Sequence, residues 1–270
     1  MNRDRHGQSG GWKRRLRLPA LFWILMGLVP AVEGQAGHPF LPLARTYVTA
    51  EMGAAAESSP PQPSPDRYML PAEGQFIMAL EQLATARDYF PADSPQYLKL
   101  DWALRMYGPY GDNNGVVLDF HDNGKSNFIG SVSIRNKKHI FTGGIVAFHV
   151  RDISSVSIAH EGIHIRNFAR QVEPDRYTSL PFDLFGTYGR FYDELTAYHA
   201  SALVAEGLGH TELKLSYGAM QVSIWTAEGG YNIEAVIEHL RVPRSQGGYG
   251  LEDIPSMEEI RAFIEAGGLY

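Results

Sequence analysis

"SIAHEGIHI", residues 157–165, sets two histidines four positions apart, with a glutamate directly after the first. On an α-helix, positions i and i+4 share one face, with Cβ atoms about 5–6 Å apart. That spacing lets His160 and His164 each point one ring nitrogen at a shared ion, at the distance of about 2.0–2.1 Å that zinc requires. Glu161 is turned about 100° from His160. It does not share the ligand face, but it can reach a water on the ion. There it can accept a proton as the water attacks and deliver it to the leaving group. The competing reading is a helix whose polar face merely carries His160 and His164 in solvent.

The flanking residues favour a helix. Asp152 or Ser154 can cap its start, and Val156, Ala159, Ile163 and Phe168 form a second stripe able to bury against a sheet. Gly162 costs about 1 kcal/mol relative to Ala in a helix. That cost is tolerable where another backbone must approach closely.

Upstream of this helix the apolar period is two. "GVVLDF" (115–120) alternates Val116, Leu118 and Phe120, and "NFIGSVSIR" (127–135) alternates Phe128, Val132 and Ile134. "HIFTGGIVAFHV" (139–150) is a third apolar run, in which Gly143-Gly144 marks a bulge. The connections "HDNGKS" and "NKK" carry hairpin chemistry, so the three runs predict an antiparallel meander. "HDNGKSN" is read as a turn rather than a calcium loop. Counting from Asp119, the twelfth position, where an EF-hand needs Glu, is Gly130.

Two helices precede the strands. Residues 73–90 place Phe76, Met78, Leu80 and Leu83 near one stripe, and 94–108 open on a Ser N-cap followed by Pro. After the active helix, segments near 188–207, 210–227, 231–240 and 256–266 read as helical, with a long unpatterned loop at 171–187. The expected fold class is α+β: a small antiparallel β-meander packed on the His–Glu helix, followed by a mainly helical half.

The chain has 270 residues, 44% hydrophobic and 20% charged, enough for one sizeable core. Its net charge of −6, with no basic run interleaved with aromatics in the body of the chain, argues against a nucleic-acid partner. There is no cysteine, which excludes disulfides, thiolate metal sites and cysteine nucleophiles. Any metal must be held by His, Asp, Glu or backbone oxygen. A basic leader with Arg14, Arg15 and Arg17 precedes the uncharged "LPALFWILMGLVPAV" (18–32), too short for a membrane span of about 20 residues. Residues 1–36 therefore read as a signal peptide and the chain as secreted or periplasmic; the alternative is an anchor formed by an uncleaved signal. Residues 37–67, rich in Pro, Ser and Ala, read as a flexible linker, and the folded domain is expected over 68–270. "GQSGG" (7–11) matches a serine-nucleophile pattern, but it lies within the leader and follows no strand.

"HEGIH" after a strand and "SIA", followed by a helix bearing "DELTAYHAS", resembles the zincin metallopeptidases, and best their glutamate-ligand branch, the gluzincins. The resemblance covers about 140–207. It implies one zinc ion (Zn2+) bound by His160, His164 and Glu194, with Glu161 as general base and a peptide or protein as substrate. It also implies that the strand before the active helix lies along the cleft, where 139–150 would pair with an extended substrate. The extended metzincin form is absent, since Asn167 and Arg170 occupy its last two fixed positions. Tyr198 stands where the thermolysin-type pattern has Asp. Asp193, Asp183 and Asp152 are therefore the candidates to orient the histidine rings.

The third ligand must come from outside the active helix, because positions 167, 168 and 171 are Asn, Phe and Gln. Glu194 ranks first, since Ala197 and Ser201 on its helix face would let that backbone come close; Asp193 and then His199 follow. Tyr177, Tyr188 and Tyr198 are candidates to stabilise an oxyanion. His121, His139, His149 and His210 read as surface or internally satisfied residues. The expected function is an exported zinc-dependent peptidase. The alternative is a zinc-containing binding or structural module of the cell envelope, distinguished by a fourth protein ligand closing the metal.

Overall fold

The computed structural model describes residues 47–49, 72–107, 116–122, 126–135, 138–217, 220–246 and 248–270. The predicted leader and most of the predicted linker lie outside the described residues. Within the linker, the backbone of β1 (Tyr47–Thr49) pairs antiparallel with β5 (Glu212–Tyr217).

Helices α1 (Ala72–Asp88) and α2 (Pro95–Arg105) form where the apolar spacing and the Ser-Pro start predict them. Ser94 caps α2, its hydroxyl accepting from the Tyr97 backbone N–H. Phe76, Leu80 and Leu83 are buried, whereas Met78 is 49% exposed. Two residues past Phe76 is about 200° round the helix, so Met78 leaves the stripe. Phe76 is the hinge between helices and sheet: its ring meets Tyr107, Phe120 and Phe148 at centroid distances of 5.5, 5.9 and 5.6 Å.

The sheet is built from the expected strands, but its pairing differs from a meander. Strands β2 (Val116–His121), β3 (Asn127–Arg135) and β4 (Lys138–His149) lie in the order β2-β4-β3. β3 and β4 form an antiparallel hairpin, while β2 pairs with β4 in parallel, from Val116 opposite Gly144 to His121 opposite His149. The long apolar strand takes the centre, where its backbone groups find partners on both sides, and β2 is left at an edge with alternate residues in solvent. Along Gly144–Ala147 both edges of β4 are occupied, so an extended substrate cannot add there as the resemblance implied. The predicted bulge is present. One residue of β3 opposes Thr142 and Gly143, and Gly143 has φ +99°.

α3 (Ser155–Val172) follows β4 and carries the His–Glu motif. Ser154 is its N-cap and exchanges a reciprocal capping box with Ser157. Phe168 plants the helix on the sheet, edge-on to Phe128 and Phe141 at 5.8 and 6.0 Å. Gly130 leaves space for that ring, since a Cβ there would lie 2.3 Å from it. Gly162 also has a packing reason: a Cβ would lie 2.8 Å from the Ala103 carbonyl oxygen, where α2 crosses α3.

The loop after α3 contains one helical turn, α4 (Pro174–Tyr177), which the sequence reading did not anticipate. α5 (Gly189–Gly207) then crosses back over α3. Contacts of Asp193 with His164 and of Ser201 with Val156 run in opposite order along the two chains, so the helices are antiparallel. Ala197 and Ser201 are fully buried, and the Ser201 hydroxyl reaches the Val156 carbonyl.

The last part is less helical than predicted. Instead of a helix, β5 pairs antiparallel with β6 (Met220–Thr226), which is joined by β7 (Gly230–Tyr231). Leu213 and Leu215 are buried at alternate positions on β5, whose intervening residues are half exposed, and Ile224 and Trp225 are buried on β6. α6 (Ile233–Arg241) and α7 (Met257–Glu265) complete an α+β fold. Among the described residues no helix is long and apolar enough to cross a membrane.

Candidate metal centre

The two histidines of α3 converge with Glu194 of α5. One ligand atom from each lies within 4.8 Å of the others, and this is the three-residue metal-ligating group found among the described residues. The triangle is well defined. His160 Nε2 is 3.1 Å from His164 Nε2, and Glu194 Oε2 is 3.4 Å from the first and 3.6 Å from the second. Tetrahedral zinc with bonds of about 2.0–2.1 Å separates its ligand atoms by about 3.3–3.4 Å. The three measured edges bracket that value. His160 and Glu194 are each 7% exposed. Glu194 Oε2 is buried without a well-aligned hydrogen-bond donor, although both imidazoles face it. Two nitrogens and an anionic oxygen aimed at one point are a donor set that fits a divalent zinc ion.

The surrounding shell fixes this arrangement. His164 Nδ1–H donates to Asp193 Oδ2 at 2.7 Å, which turns Nε2 toward the ligand side. The other oxygen of Asp193 accepts from Asn167 Nδ2 at 2.8 Å. Asn167 also donates to Thr196 Oγ1, which in turn donates to the Asp193 carbonyl. Of the three aspartates proposed to orient the rings, Asp193 is therefore the one in place. Asp183 instead accepts from Gln171 and the Phe185 backbone, and Asp152 lies at the helix start with its carbonyl on Ser157.

His160 is held by shape. Its ring meets that of fully buried Tyr198 edge-on at 4.6 Å, and its Nδ1 has no hydrogen-bond partner among the described residues. The Tyr198 hydroxyl donates to Tyr249 at 3.2 Å, and the His239 ring packs against both tyrosines. Tyr249, His239 and Asn167 are the residues of this site that sequence reasoning missed. The first two sit 60 and 50 positions downstream of α5's start with no local signature, and Asn167 drew notice only as a departure from the extended motif.

The charges are matched across the cluster. Burial alone would push the His164 pKa down, but the Asp193 and Glu194 carboxylates outweigh it and hold it well above the ordinary histidine value. Burial alone would raise Glu194. The His164 charge and the closely facing His160 and His164 rings overcome it and hold the carboxyl far below the usual range. The His164 imidazolium and the Asp193 and Glu194 carboxylates thus stabilise one another as an ion pair.

Glu161 is buried at 8% exposure and lies outside the ligand triangle, as expected of a residue rotated off that face. Its charge is felt by Tyr107, whose pKa is raised by burial and by Glu161 and whose hydroxyl donates to the Ile158 carbonyl. His199 is not a ligand. It is buried between the Tyr231 and Tyr270 rings with Nδ1 3.3 Å from Lys99 Nζ. Of the tyrosines weighed for an oxyanion, Tyr198 is beside the centre. Tyr177 packs on Phe141, and Tyr188 precedes α5. His149 is internally satisfied, bonded to the Asp122 carbonyl and the Arg151 N–H.

Comparison of the chain with protein-family models, with curated proteins and with solved structures gives no match in any of the three.

Proposed function

We propose that the chain is a zinc-dependent metallohydrolase of the gluzincin type, acting on peptide bonds outside the cytoplasm. The observation that carries this reading is the triangle of His160, His164 and Glu194, with edges that match a tetrahedral zinc centre. Three protein ligands are the complement of a catalytic zinc, whereas a structural zinc takes four.

When bound there, zinc supplies a Lewis acid that polarises a carbonyl and acidifies a water toward neutral pH. The chain's own groups do the rest. Glu194 contributes the anionic ligand and loses nothing by ionising, because its carboxyl is already held in the charged form. Asp193 fixes the His164 tautomer and ring plane, and Asn167 and Thr196 fix Asp193. Glu161, one residue from a ligand and off the ligand face, accepts the water's proton on its carboxylate and returns it to the leaving amine. The run of apolar and basic residues at 1–36 supports export.

The test is an assay of the purified chain against a diverse peptide library. Cleavage that a chelator abolishes and zinc restores is expected. A protein that demonstrably holds zinc yet cuts nothing would refute hydrolysis and leave the binding-module reading.

A further inference from the structure

Beside Asn167, residues of α2, α3 and α5, with Phe182 and the segment 268–270, line a narrow cavity that includes Lys99, Trp102, Arg166, Asn167 and Arg170. Three of these are cationic, and no acidic side chain is among its lining residues. Arg166 is 8% exposed and Lys99 2%. Their polar partners are all neutral. Lys99 donates to the Leu269 carbonyl and faces His199. Arg166 lies 4.0 Å over the Trp102 ring and makes a long bond of 3.4 Å to the Tyr177 carbonyl, and its Nε–H is buried without a partner. Arg170 donates to the Thr178 and Ser179 carbonyls. Asp101, the neighbour of Trp102 in sequence, is already engaged by Arg87 at 3.0 Å and Arg105 at 2.6 Å. Burying several like charges on neutral partners is costly unless a counter-charge joins them.

We infer that this cavity is an anion site, built to take one small monovalent anion of halide or single-carboxylate size against Arg166 Nε, with Arg170 and Lys99 supplying charge. The free space at its centre is about 10 Å³, room for one water-sized species. That favours a small anion, chloride or a carboxylate oxygen pair, over a phosphoryl group, with the partly exposed Arg170 shifting to admit it. Lys99 and Arg170 are consistent with this: burial lowers both pKa values, and for Lys99 the Arg170 charge adds to the effect. Asn167 lines the cavity and also holds Asp193, so an anion there sits two hydrogen bonds from His164. The site does not depend on the identity of the metal or on hydrolysis.

Trp102, against the Arg166 guanidinium, is the reporter. The full chain is titrated with sodium chloride and, separately, with sodium formate, each replacing sodium gluconate at constant ionic strength, and Trp fluorescence is followed. A saturable change with chloride, formate or both, absent in Trp102→Phe, is expected; which salt acts tells whether the pocket takes a halide or a carboxylate. Arg166→Gln should weaken the effect by about tenfold to a hundredfold, the usual cost of losing a hydrogen bond to a charge. Should that variant fail to fold, Arg170→Gln at the rim must weaken the effect instead. A bromide-soaked crystal should show bromide within hydrogen-bond distance of Arg166 Nε. No saturable signal with either salt, or arginine variants that respond like the wild type, would overturn the inference.

Discussion

Asp193→Asn tests the second shell with the smallest change in shape. The carboxylate accepts two hydrogen bonds, from His164 Nδ1 at 2.7 Å and from Asn167 Nδ2 at 2.8 Å. An asparagine can keep only one. If its carbonyl oxygen stays on His164, its NH2 faces the Asn167 NH2, donor against donor. Asn167 cannot flip without giving up its bond to Thr196. The charge that keeps the His164 ring oriented and electron-rich is lost as well. Removing such a partner of a metal-bound histidine typically weakens metal binding 10–100-fold, or about 1.4–2.7 kcal/mol at 1.36 kcal/mol per factor of ten. The unpaired buried donor should lower stability by about 1–3 kcal/mol. Competition against a chromophoric chelator measures the first effect and denaturant unfolding of the metal-free chain the second. A variant that binds zinc as tightly as the wild type would show that Asp193 does not position His164, and the reasoning about the shell would fail.

Other outcomes follow from the same geometry. In the metal-free protein His164 is raised above its ordinary value of 6.5, so its contribution to stability is complete below that pH and fades as pH rises through the raised pKa. Glu194 is depressed below 4.5, so its contribution is complete above that pH and fades on acidification. Thermal midpoints of the apo chain should therefore benefit most from this cluster between about pH 4.5 and 6.5, and zinc affinity should climb as pH rises above 6.5 because binding must expel the His164 proton. A flat zinc affinity from pH 6 to 8 would contradict the ion pair. Gly162→Ala should destabilise by about 1–3 kcal/mol through overpacking against Ala103, although helix propensity alone favours Ala by about 1 kcal/mol; a stabilised variant in a melt would show that α2 gives way. Phe168→Ala should cost about 3–5 kcal/mol in denaturant unfolding, since that ring joins α3 to β3 and β4.

The parts legible in the sequence are those whose cause is local. His160 and His164 share a face because a helix repeats every 3.6 residues, and the Ser154 cap and the Gly143 bulge are one-residue signals. Glu194 could be ranked first because Ala197 and Ser201 mark the face on which α5 comes close to α3. Strand order was not legible. The alternation in 116–120 shows which face is buried but is silent on whether β2 pairs with β3 or with the far edge of β4. The β5–β6 pair was legible and was misread. Leu213 and Leu215 alternate with polar residues, yet a short apolar run also fits a helix. Asn167, His239 and Tyr249 act through partners distant in sequence, which no periodicity reveals.

The central claim divides labour between a ligand set of His160, His164 and Glu194 and a base, Glu161. Metal content and peptide hydrolysis measured side by side for the wild type and Glu161→Gln test it most directly. One zinc per chain in both proteins is expected, with hydrolysis only in the wild type. Loss of zinc from Glu161→Gln would make Glu161 a ligand, and undiminished hydrolysis would mean it is not the base; either result contradicts the account.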